Sequence, residues 1–273
     1  MRADIDPMSR LAISYADRVG AGRSAQERYR ASYRAWRART RLVWLVAMLP
    51  VPLVMLAVAW IWPADASLAL GTAVGATVMF ALSTTLMAPQ HIDSWRQGAE
   101  GEKRTARALR ALARRGWTVM HDLPDDYGNR DHVVVAPSGE IFLLDTKAPG
   151  GRVTVEHGVL RVRWLEDPDD GYEKDLTPRM RGAAAGLADE LAQALPRRPW
   201  VTPVVVIWGR WDGAPHKHAG VAWVHGKALA ERLSANVGAP DHARQAHVVQ
   251  ALRARVAGDR RTAHPGWRCG RHQ

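Results

Sequence analysis

Residues 131–147 read DHVVVAPSGEIFLLDTK and contain the pattern that predicts the fold. Two short apolar runs, 133–135 and 141–144, flank a Pro137-Ser138-Gly139 turn. Short apolar runs bounded by turn residues are typical of strands that are buried on both faces or nearly so. The stretch therefore predicts a β-hairpin inside the core of a sheet.

Charged residues bracket this hairpin. Asp131 opens the first strand, and Asp145 and Lys147 close the second. Side chains alternate along a strand, so Asp145 and Lys147 share one face while Thr146 points to the other. Because the turn returns the chain, Asp131 is expected near Asp145. Two carboxylates and an ammonium at the end of a buried sheet are unfavourable unless they pair or bind a metal, which predicts a functional site.

The composition favours polyanionic partners. The 273-residue chain carries 38 Lys and Arg residues against 27 Asp and Glu residues, a formal net charge of +11. Such a balance is typical of proteins that bind nucleic acid or an anionic membrane face. Cys269 is the lone cysteine, which excludes an internal disulfide framework and indicates a reducing compartment.

The first 41 residues form a basic arm without an apolar run of helix or strand length. Residues 24–40 contain no Pro or Gly and are predicted to be helical, with Tyr29, Tyr33 and Trp36 in one stripe among arginines. Two interpretations stay open: a solvated helix beside a membrane, or an interfacial helix with its aromatic rings at headgroup depth and its arginines on anionic lipid. Capture of DNA by this arm is a third interpretation.

Two apolar stretches follow the arm. Residues 42–62 and 67–88 are free of charge, and each is long enough to span a hydrocarbon core of roughly 30 Å. They predict an α-helical transmembrane hairpin, with two buried core helices as the alternative. The flanks are rich in arginine and the connecting loop has no Lys or Arg, so both termini are predicted to be cytoplasmic. The expected location is the cell (inner) membrane, with the lipid bilayer as a partner.

From residue 95 the pattern becomes that of a globular domain, predicted to run to residue 236, with a C-terminal helix and basic tail at 237–273. The order of helix, three strands, inserted hairpin, helix and further strands predicts an α/β fold with a mixed central sheet flanked by helices. Residues 124–130 and 166–175 are predicted loops, and the basic end from Gly258 is predicted to be disordered. The predicted helices lie at 98–115, 178–195, 227–234 and 242–257. The predicted strands lie at 117–121, 201–208 and 221–225, and the predicted hairpins lie at 131–147 and 152–164.

Three motifs occur in order on these elements. Gly98-x-x-Gly101-Glu102 opens the first helix, Asn129-Arg130-Asp131-His132-Val133-Val134-Val135 forms a strand, and Leu143-Leu144-Asp145-Thr146-Lys147 ends the next strand. Together they closely resemble the NERD (nuclease-related) domain of the PD-(D/E)xK, restriction-endonuclease-like superfamily. The resemblance extends over residues 97–206 and implies a restriction-endonuclease-like sheet.

The resemblance implies a role for each charged residue of these motifs. Residues matching Glu102, Asp131 and Asp145 bind Mg²⁺ beside the scissile phosphate, and the residue matching Lys147 positions or polarises the attacking water. Hard carboxylate oxygens suit Mg²⁺, which keeps water ligands and accepts phosphate oxygens. The backbone carbonyl of Thr146 is a further candidate ligand, and Mn²⁺ is a candidate substitute metal.

The segment after the inserted hairpin departs from the family pattern. Where the family tends to carry an Asn-Pro-x-x-Gln-like motif, this chain reads Thr177-Pro178-Arg179-Met180-Arg181. Pro178 suits the first position of a helix, but no Gln is present. Arg179 and Arg181 become candidate contacts to nucleic-acid phosphates. Asp145 stands where the family more commonly carries Glu, a smaller departure.

Each candidate also has a simpler interpretation. Asp131 and Asp145 could be strand-end residues that face water, with Lys147 as their salt-bridge partner. Glu102 could be an ordinary acid in a first helical turn, where the helix dipole favours negative charge. Glu100 is a rival for its role, and the resemblance favours Glu102.

A second metal site is a weaker hypothesis. His216 and His218 flank Lys217 and could act with His225 or Cys269. The loop is rich in Gly and Pro, and no second pair of ligands has the spacing of a zinc site. The pattern therefore favours the acidic site over this one.

The sequence predicts a membrane-anchored nuclease that hydrolyses phosphodiester bonds of DNA, with RNA as the second choice, in a Mg²⁺-dependent reaction. Two alternatives stay open. In one, the chain is a catalytically inactive, membrane-tethered module that binds nucleic acid. In the other, it is a membrane scaffold that binds anionic lipid or a protein partner. A homodimer is a further expectation, because many enzymes of the superfamily act on duplexes as dimers.

Overall fold

The computed structural model describes most of residues 90–262 and shorter helical stretches before them. Contacts divide the described part of the chain into two compact units, one within residues 25–96 and one from residue 97 onward. The described residues are 26–27, 29–38, 57, 60–61, 67, 71–72, 74–79, 90–125, 128–165, 167, 169–235 and 237–262.

The described part of the unit 25–96 is helical. Tyr29, Tyr33 and Trp36 lie along one side of a helix, with ring centroids 5.8 Å apart in the first pair and 5.6 Å apart in the second. The Arg37 guanidinium lies 5.6 Å from the Tyr33 ring centroid. The helix predicted at 24–40, with its aromatic stripe, is therefore present where the chain is described.

The predicted membrane spans, 42–62 and 67–88, lie mostly outside the described residues. Their longest described stretch, 74–79, is helical and exposed. Within the described part of the chain, no helix has both the length and the apolar character needed to cross a membrane. The transmembrane hairpin therefore stays a prediction.

From residue 90 onward, the described residues form four α-helices and ten strands. The helices are α1 (Gln90–Ala113), α2 (Thr177–Ala192), α3 (Leu229–Ser234) and α4 (His242–Thr262), and the strands are β1 (Thr118–Asp125), β2 (Gly128–Val135), β3 (Ile141–Lys147), β4 (Arg152–Glu156), β5 (Val159–Arg163), β6 (Gly171–Asp175), β7 (Val201–Ile207), β8 (Arg210–Trp211), β9 (His216–His218) and β10 (Val221–His225).

Six strands form the central sheet in the order β1-β2-β3-β7-β10-β9. The strands β3, β7 and β10 are parallel to one another, whereas β1, β2 and β9 run antiparallel to their neighbours. The predicted hairpin lies in the middle of this sheet, where Val134 pairs with Phe142 and Leu144 pairs with Val204. The predicted mixed central sheet with flanking helices is confirmed.

Alternating side chains of β2 and β3 divide the core into two layers. Val134 and Leu144 pack with residues of α1 and α3 on one face of the sheet. Val133 and Leu143 pack with residues of α2 and α4 on the other face. Both faces are buried, which explains why the apolar runs of the hairpin are unbroken.

A second sheet, in the order β6-β5-β4-β8, contains the inserted hairpin. Val153, Leu160 and Val162 of this sheet share a core cluster with Ile207 and Trp223 of the central sheet. The cluster joins the two sheets into one packed unit.

Strand β6 replaces part of the loop predicted at 166–175. Its Glu173 lies opposite Arg161 of β5 and accepts hydrogen bonds from Arg161 Nε and Arg163 Nη2, both at 3.1 Å. Cross-strand pairs of opposite charge stabilise this pairing in place of apolar contacts. Hydrophobic alternation does not reveal a strand of this kind.

Two further boundaries differ from the prediction. The loop predicted at 124–130 is the tip of a hairpin, where Arg130 Nη2 lies 3.0 Å from Asp125 Oδ1 across β1 and β2. The ion pair extends both strands beyond their apolar residues. At the other end of the chain, α4 continues past Gly258 to Thr262, and the rest of the predicted tail lies outside the described residues.

Gly101 allows α1 to approach β3 closely. A Cβ atom at residue 101 would lie 2.5 Å from Ala148 Cβ and 3.3 Å from Thr146 Cγ2. At Gly98, one helical turn earlier, an added Cβ would meet nothing within 4 Å. Of the two glycines in the first motif, only Gly101 is therefore required for packing.

Substituting each glycine by alanine separates these two roles. Gly101→Ala is expected to lower the free energy of unfolding by about 1–3 kcal/mol, because the new methyl group overpacks the contact between α1 and β3. Gly98→Ala is the matched control and is expected to raise it by about 0.5–1 kcal/mol, because alanine favours the helix. Urea unfolding followed by circular dichroism measures both, and equal effects of the two substitutions would contradict the packing role of Gly101.

Candidate active site

Strand pairing places Asp131 beside Asp145. His132 pairs with Leu144 across β2 and β3, so the next position along each strand brings the two carboxylates opposite each other. Alternation along the strands puts both side chains on the face that α2 covers. Asp131 Oδ2 accepts a hydrogen bond from the Thr146 backbone N–H at 2.7 Å. The structure therefore brings together the two aspartates that bracket the hairpin.

Lys147 lies beside the two aspartates. Its Nζ forms an ion pair with Asp145 Oδ2, and the two side chains are 23% and 15% exposed. Burial on its own lowers the pKa of Lys147, but the Asp145 and Asp131 carboxylates outweigh burial and raise that pKa above its ordinary value. Lys147 therefore keeps its proton at neutral pH.

The pKa values of two carboxyl groups at this position are also raised. Burial raises the pKa of Glu102 to about 8, and the negative charges of Asp131 and Asp122 contribute. Burial and the Asp145 carboxylate raise the pKa of Asp131 to about 7, against the opposing effect of Lys147. We call Glu102, Asp122, Asp131 and Asp145 the acidic cluster, and Lys147 is the lysine paired with it.

Asp122 was not among the residues predicted from the sequence. It has a left-handed backbone, with φ of 54°, which Asp adopts more readily than most residues. Its Oδ1 accepts a hydrogen bond from Asn129 Nδ2 at 2.7 Å, and its charge helps to raise the pKa of Glu102. Asp122 lies outside the three motifs, and its backbone conformation leaves no mark in the hydrophobic pattern.

Polar side chains fix α1 to the end of β3. Thr105 Oγ1 lies 2.9 Å from Thr146 Oγ1 and accepts a hydrogen bond from Trp208 Nε1 at 2.7 Å, because an indole N–H only donates. Thr105 follows Glu102 by three residues, so the same contact holds the helical turn that carries Glu102. The Thr146 side chain points to α1, and the metal-ligand role of its backbone carbonyl stays a prediction.

The two arginines predicted to contact phosphate, Arg179 and Arg181, lie near the start of α2, just after Pro178 in its first turn. The positive charge of Arg179 acts to lower the pKa of both Asp131 and Lys147, which places its guanidinium within electrostatic reach of the acidic cluster. Arg181 is exposed and lines a groove further along α2. The structure therefore places Arg179 near the cluster and Arg181 in the groove.

A comparison with protein families finds a match over this part of the chain. Residues 97–208 match the family model of the nuclease-related domain, NERD. These residues are therefore similar to the nuclease-related domain, and we call them the NERD segment. Comparisons with curated proteins and with solved structures find no match. The NERD segment contains the whole acidic cluster and Lys147, whereas β8, β9, β10, α3 and α4 follow it in the chain.

The acidic cluster of the NERD segment is not preassembled for a metal ion. Among the described residues, no three Asp, Glu, His or Cys side chains lie close enough together to hold one. Asp131 Oδ2 is bonded to the Thr146 N–H, and Asp145 Oδ2 is paired with Lys147. A metal ion would have to compete with these partners, and the Mg²⁺ site stays a prediction.

The histidines of the weaker metal hypothesis have packing and capping contacts. The His216 ring stacks on Trp223 with centroids 6.2 Å apart. His225 Nδ1 accepts a hydrogen bond from the Lys227 backbone N–H at 3.1 Å. These contacts account for both rings without a metal, and Cys269 lies outside the described residues.

The raised pKa values of Glu102 and Asp131 predict how the stability of the protein depends on pH when no metal is added. Their folded-state pKa values, about 8 and about 7, lie above the ordinary values of 4.5 and 3.8. The folded protein therefore binds more protons than the unfolded chain at neutral pH. Raising the pH from about 7 to about 8.5 removes most of these protons and should lower the free energy of unfolding by about 1–2 kcal/mol. Urea unfolding in EDTA measures the change.

Glu102→Gln is the test variant for this prediction, and Glu100→Gln is its matched control. Gln cannot ionise, so Glu102→Gln should lose most of the pH dependence. Glu100 is exposed and lies 3.1 Å from Arg104 on the helix surface, so its variant should keep the dependence. Burial lowers the pKa of His132 well below 6.5, so this residue contributes little in the chosen range. The same pH dependence in wild type and Glu102→Gln would contradict the assignment.

Proposed function

We propose that this chain is a Mg²⁺-dependent nuclease that hydrolyses phosphodiester bonds of DNA, with RNA as the second choice. The nuclease-related match supports the class of reaction. The observation that carries the proposal is the convergence of Asp131, Asp145 and Lys147 at one end of the central sheet. Glu102, from α1, lies close enough to interact electrostatically with all three.

The donor atoms of the acidic cluster suit Mg²⁺ or Mn²⁺. Carboxylate oxygens are the hard ligands that these ions prefer. The raised pKa values of Glu102 and Asp131 mean that protons neutralise part of the charge when no cation is present. In this proposal, Glu102, Asp131 and Asp145 hold the ion, and the Thr146 carbonyl is a further ligand. When bound, the ion would supply Lewis acidity toward a phosphate oxygen and the attacking water.

Lys147 acts in this proposal as a cation and not as a base. Its raised pKa keeps Nζ protonated, so Nζ can donate hydrogen bonds to the attacking water or to the phosphate. Such a donor stabilises the negative charge that develops as the phosphodiester is attacked. Asp145 holds Nζ in place through the ion pair. Arg179 adds a second positive charge near the cluster, suited to a neighbouring phosphate.

The proposal places the nuclease at a membrane. Residues 42–62 and 67–88 anchor the chain in the cell membrane, both termini are cytoplasmic, and the NERD segment acts at the inner surface. The helix at 29–38 supports a contact with lipid, because its aromatic rings stack along one side with Arg37 beside them. A homodimer would present two sites to one duplex.

A nucleic-acid-binding module without turnover is the second candidate function. One observation that favours it is Arg181, which stands where the related pattern carries Gln. Another is the ion pair between Lys147 and Asp145, which occupies an oxygen that a metal would use. Binding of DNA without Mg²⁺-dependent cleavage would establish this alternative.

Cleavage assays on the purified chain test the proposal. The substrates are supercoiled plasmid, linear duplex, single-stranded DNA and RNA, each with Mg²⁺ and with EDTA. Asp145→Asn and Lys147→Ala are each expected to lower the rate at least about 100-fold, because each removes a charge that acts on the transition state. Glu102→Gln should also lose activity, whereas Glu100→Gln, two residues earlier on the same helix, should keep the wild-type rate.

Circular dichroism of each variant shows whether it is folded. Folded Asp145→Asn and Lys147→Ala proteins that cleave at the wild-type rate would refute the proposed site. Equal loss of activity in Glu102→Gln and Glu100→Gln would refute the specific role of Glu102.

A further inference from the structure

Trp200 is an exposed aromatic residue beside the central sheet. Trp200 as a whole residue is 69% exposed, whereas the next residue, Val201, is 4% exposed and belongs to the core. An indole with this much free surface is not used for core packing. Exposed aromatic rings beside basic residues are a common platform for nucleic-acid bases.

Trp200 lines a groove of about 520 Å³ along α2. The helix contributes small residues at intervals of three, Gly182, Ala185 and Ala188, which share one side of α2 and leave room for a ligand. Val201, at the start of β7, also lines the groove.

The charged residues of this groove are arginines. Arg198 is held in place, because its Nε donates to Asp189 Oδ1 at 2.6 Å and its Nη2 donates to the Ala185 carbonyl at 3.3 Å. Arg181 is exposed and forms no side-chain hydrogen bond or ion pair with the residues that the structure describes. The described lining includes no carboxylate. Because Asp189 balances the charge of Arg198, the positive charge that the groove offers to a phosphate comes mainly from Arg181.

The groove leads away from the acidic cluster. Thr177 and Pro178, at the start of α2, line one end of it, and the adjacent Arg179 interacts electrostatically with the cluster. From Thr177 to Ala188 the helix rises roughly 16 Å. A strand that leaves the cluster beside Arg179 would therefore follow α2 toward Trp200.

We propose that this groove binds an unpaired strand of the nucleic-acid substrate, with a base stacked on Trp200 and phosphates on Arg181 and Arg198. The inference rests on the proposed nuclease function and deepens it, because it names single-stranded nucleic acid, or the unpaired end of a duplex, as the substrate class. A base can stack on a side chain only when it is free of its neighbours, as in single strands. Bases inside a duplex do not offer that face.

A peptide suits the groove less well. Extended peptides commonly dock by adding a strand to the free edge of a sheet. The strand beside the groove, β7, is paired on both sides, with β3 and with β10. Without a free edge, the groove offers an aromatic face and two guanidinium groups, which favour bases and phosphates.

Fluorescence anisotropy of labelled DNA tests the proposal with the full chain in EDTA, where Mg²⁺-dependent cleavage does not occur. The probes are a single-stranded oligo(dT) and the same strand in a blunt duplex. Trp200→Leu removes the aromatic face and is expected to weaken single-strand binding about tenfold. Trp200→Phe should keep most of the affinity, and neither variant should change duplex binding by more than about twofold.

A pair of arginine variants tests the phosphate contact. Arg181→Ala should weaken single-strand binding several-fold and reduce the magnitude of its salt dependence by about one phosphate contact. Arg232→Ala is the matched control, because it removes one exposed charge from α3, on the opposite face of the sheet. It should have less than half the effect of Arg181→Ala.

The possible outcomes separate this proposal from the proposed function. Single-strand binding that depends on Trp200 and Arg181 supports the proposed groove. If this binding occurs without Mg²⁺-dependent cleavage, the proposed nuclease function is refuted and the nucleic-acid-binding site is retained. Equal binding by wild type, Trp200→Leu and Arg181→Ala overturns the groove even where cleavage is intact. No binding of oligo(dT) or of a matching RNA strand also overturns it and favours a protein occupant.

Discussion

Several carboxyl groups crowd together at the end of a buried sheet, and this crowding determines the chemistry of the site. The pairing of β2 with β3 forces Asp131 against Asp145, and α1 brings Glu102 into their electrostatic field. Buried carboxylates in such proximity are unfavourable without compensation. The structure supplies this compensation through the Lys147 ammonium and the Thr146 backbone N–H. The raised pKa values of Glu102 and Asp131 also let protons neutralise part of the charge. In the proposed function, a divalent cation takes the place of these partners.

The apolar core fixes the geometry of this polar site. A shift of β3 by one residue would move Asp145 and Lys147 to the face that α1 covers and would turn Leu144 out of its core layer. Because both faces of the sheet are buried, such a shift would disrupt the packing of every apolar side chain of β3. Gly101 and Thr105 then set the distance and rotation of α1, so that Glu102 reaches the same end of the sheet from the opposite face.

The sequence predicts the features that depend on local apolar patterns and misses those that depend on charge pairs or distant segments. The central hairpin follows from two apolar runs and a turn, and the mixed sheet follows from the order of elements. Strand β6 was missed because Glu173 and its arginine partners stabilise it in place of apolar residues. Asp122 was missed because a left-handed residue inside a strand has no hydrophobic signature. The groove at Trp200 combines α2, the start of β7 and a later turn, which no single stretch contains.

Calorimetric titration of Mg²⁺ into the full chain at pH 7.5 shows whether the acidic cluster binds the ion. If the acidic cluster holds the ion, binding must displace protons from Glu102 and Asp131, so the measured heat will depend on the ionisation enthalpy of the buffer. We expect saturable binding with proton release in the wild type and neither in the Asp131→Ala/Asp145→Ala double variant. Saturable binding that is the same in the double variant, or no binding to the wild type with or without DNA, would contradict the account.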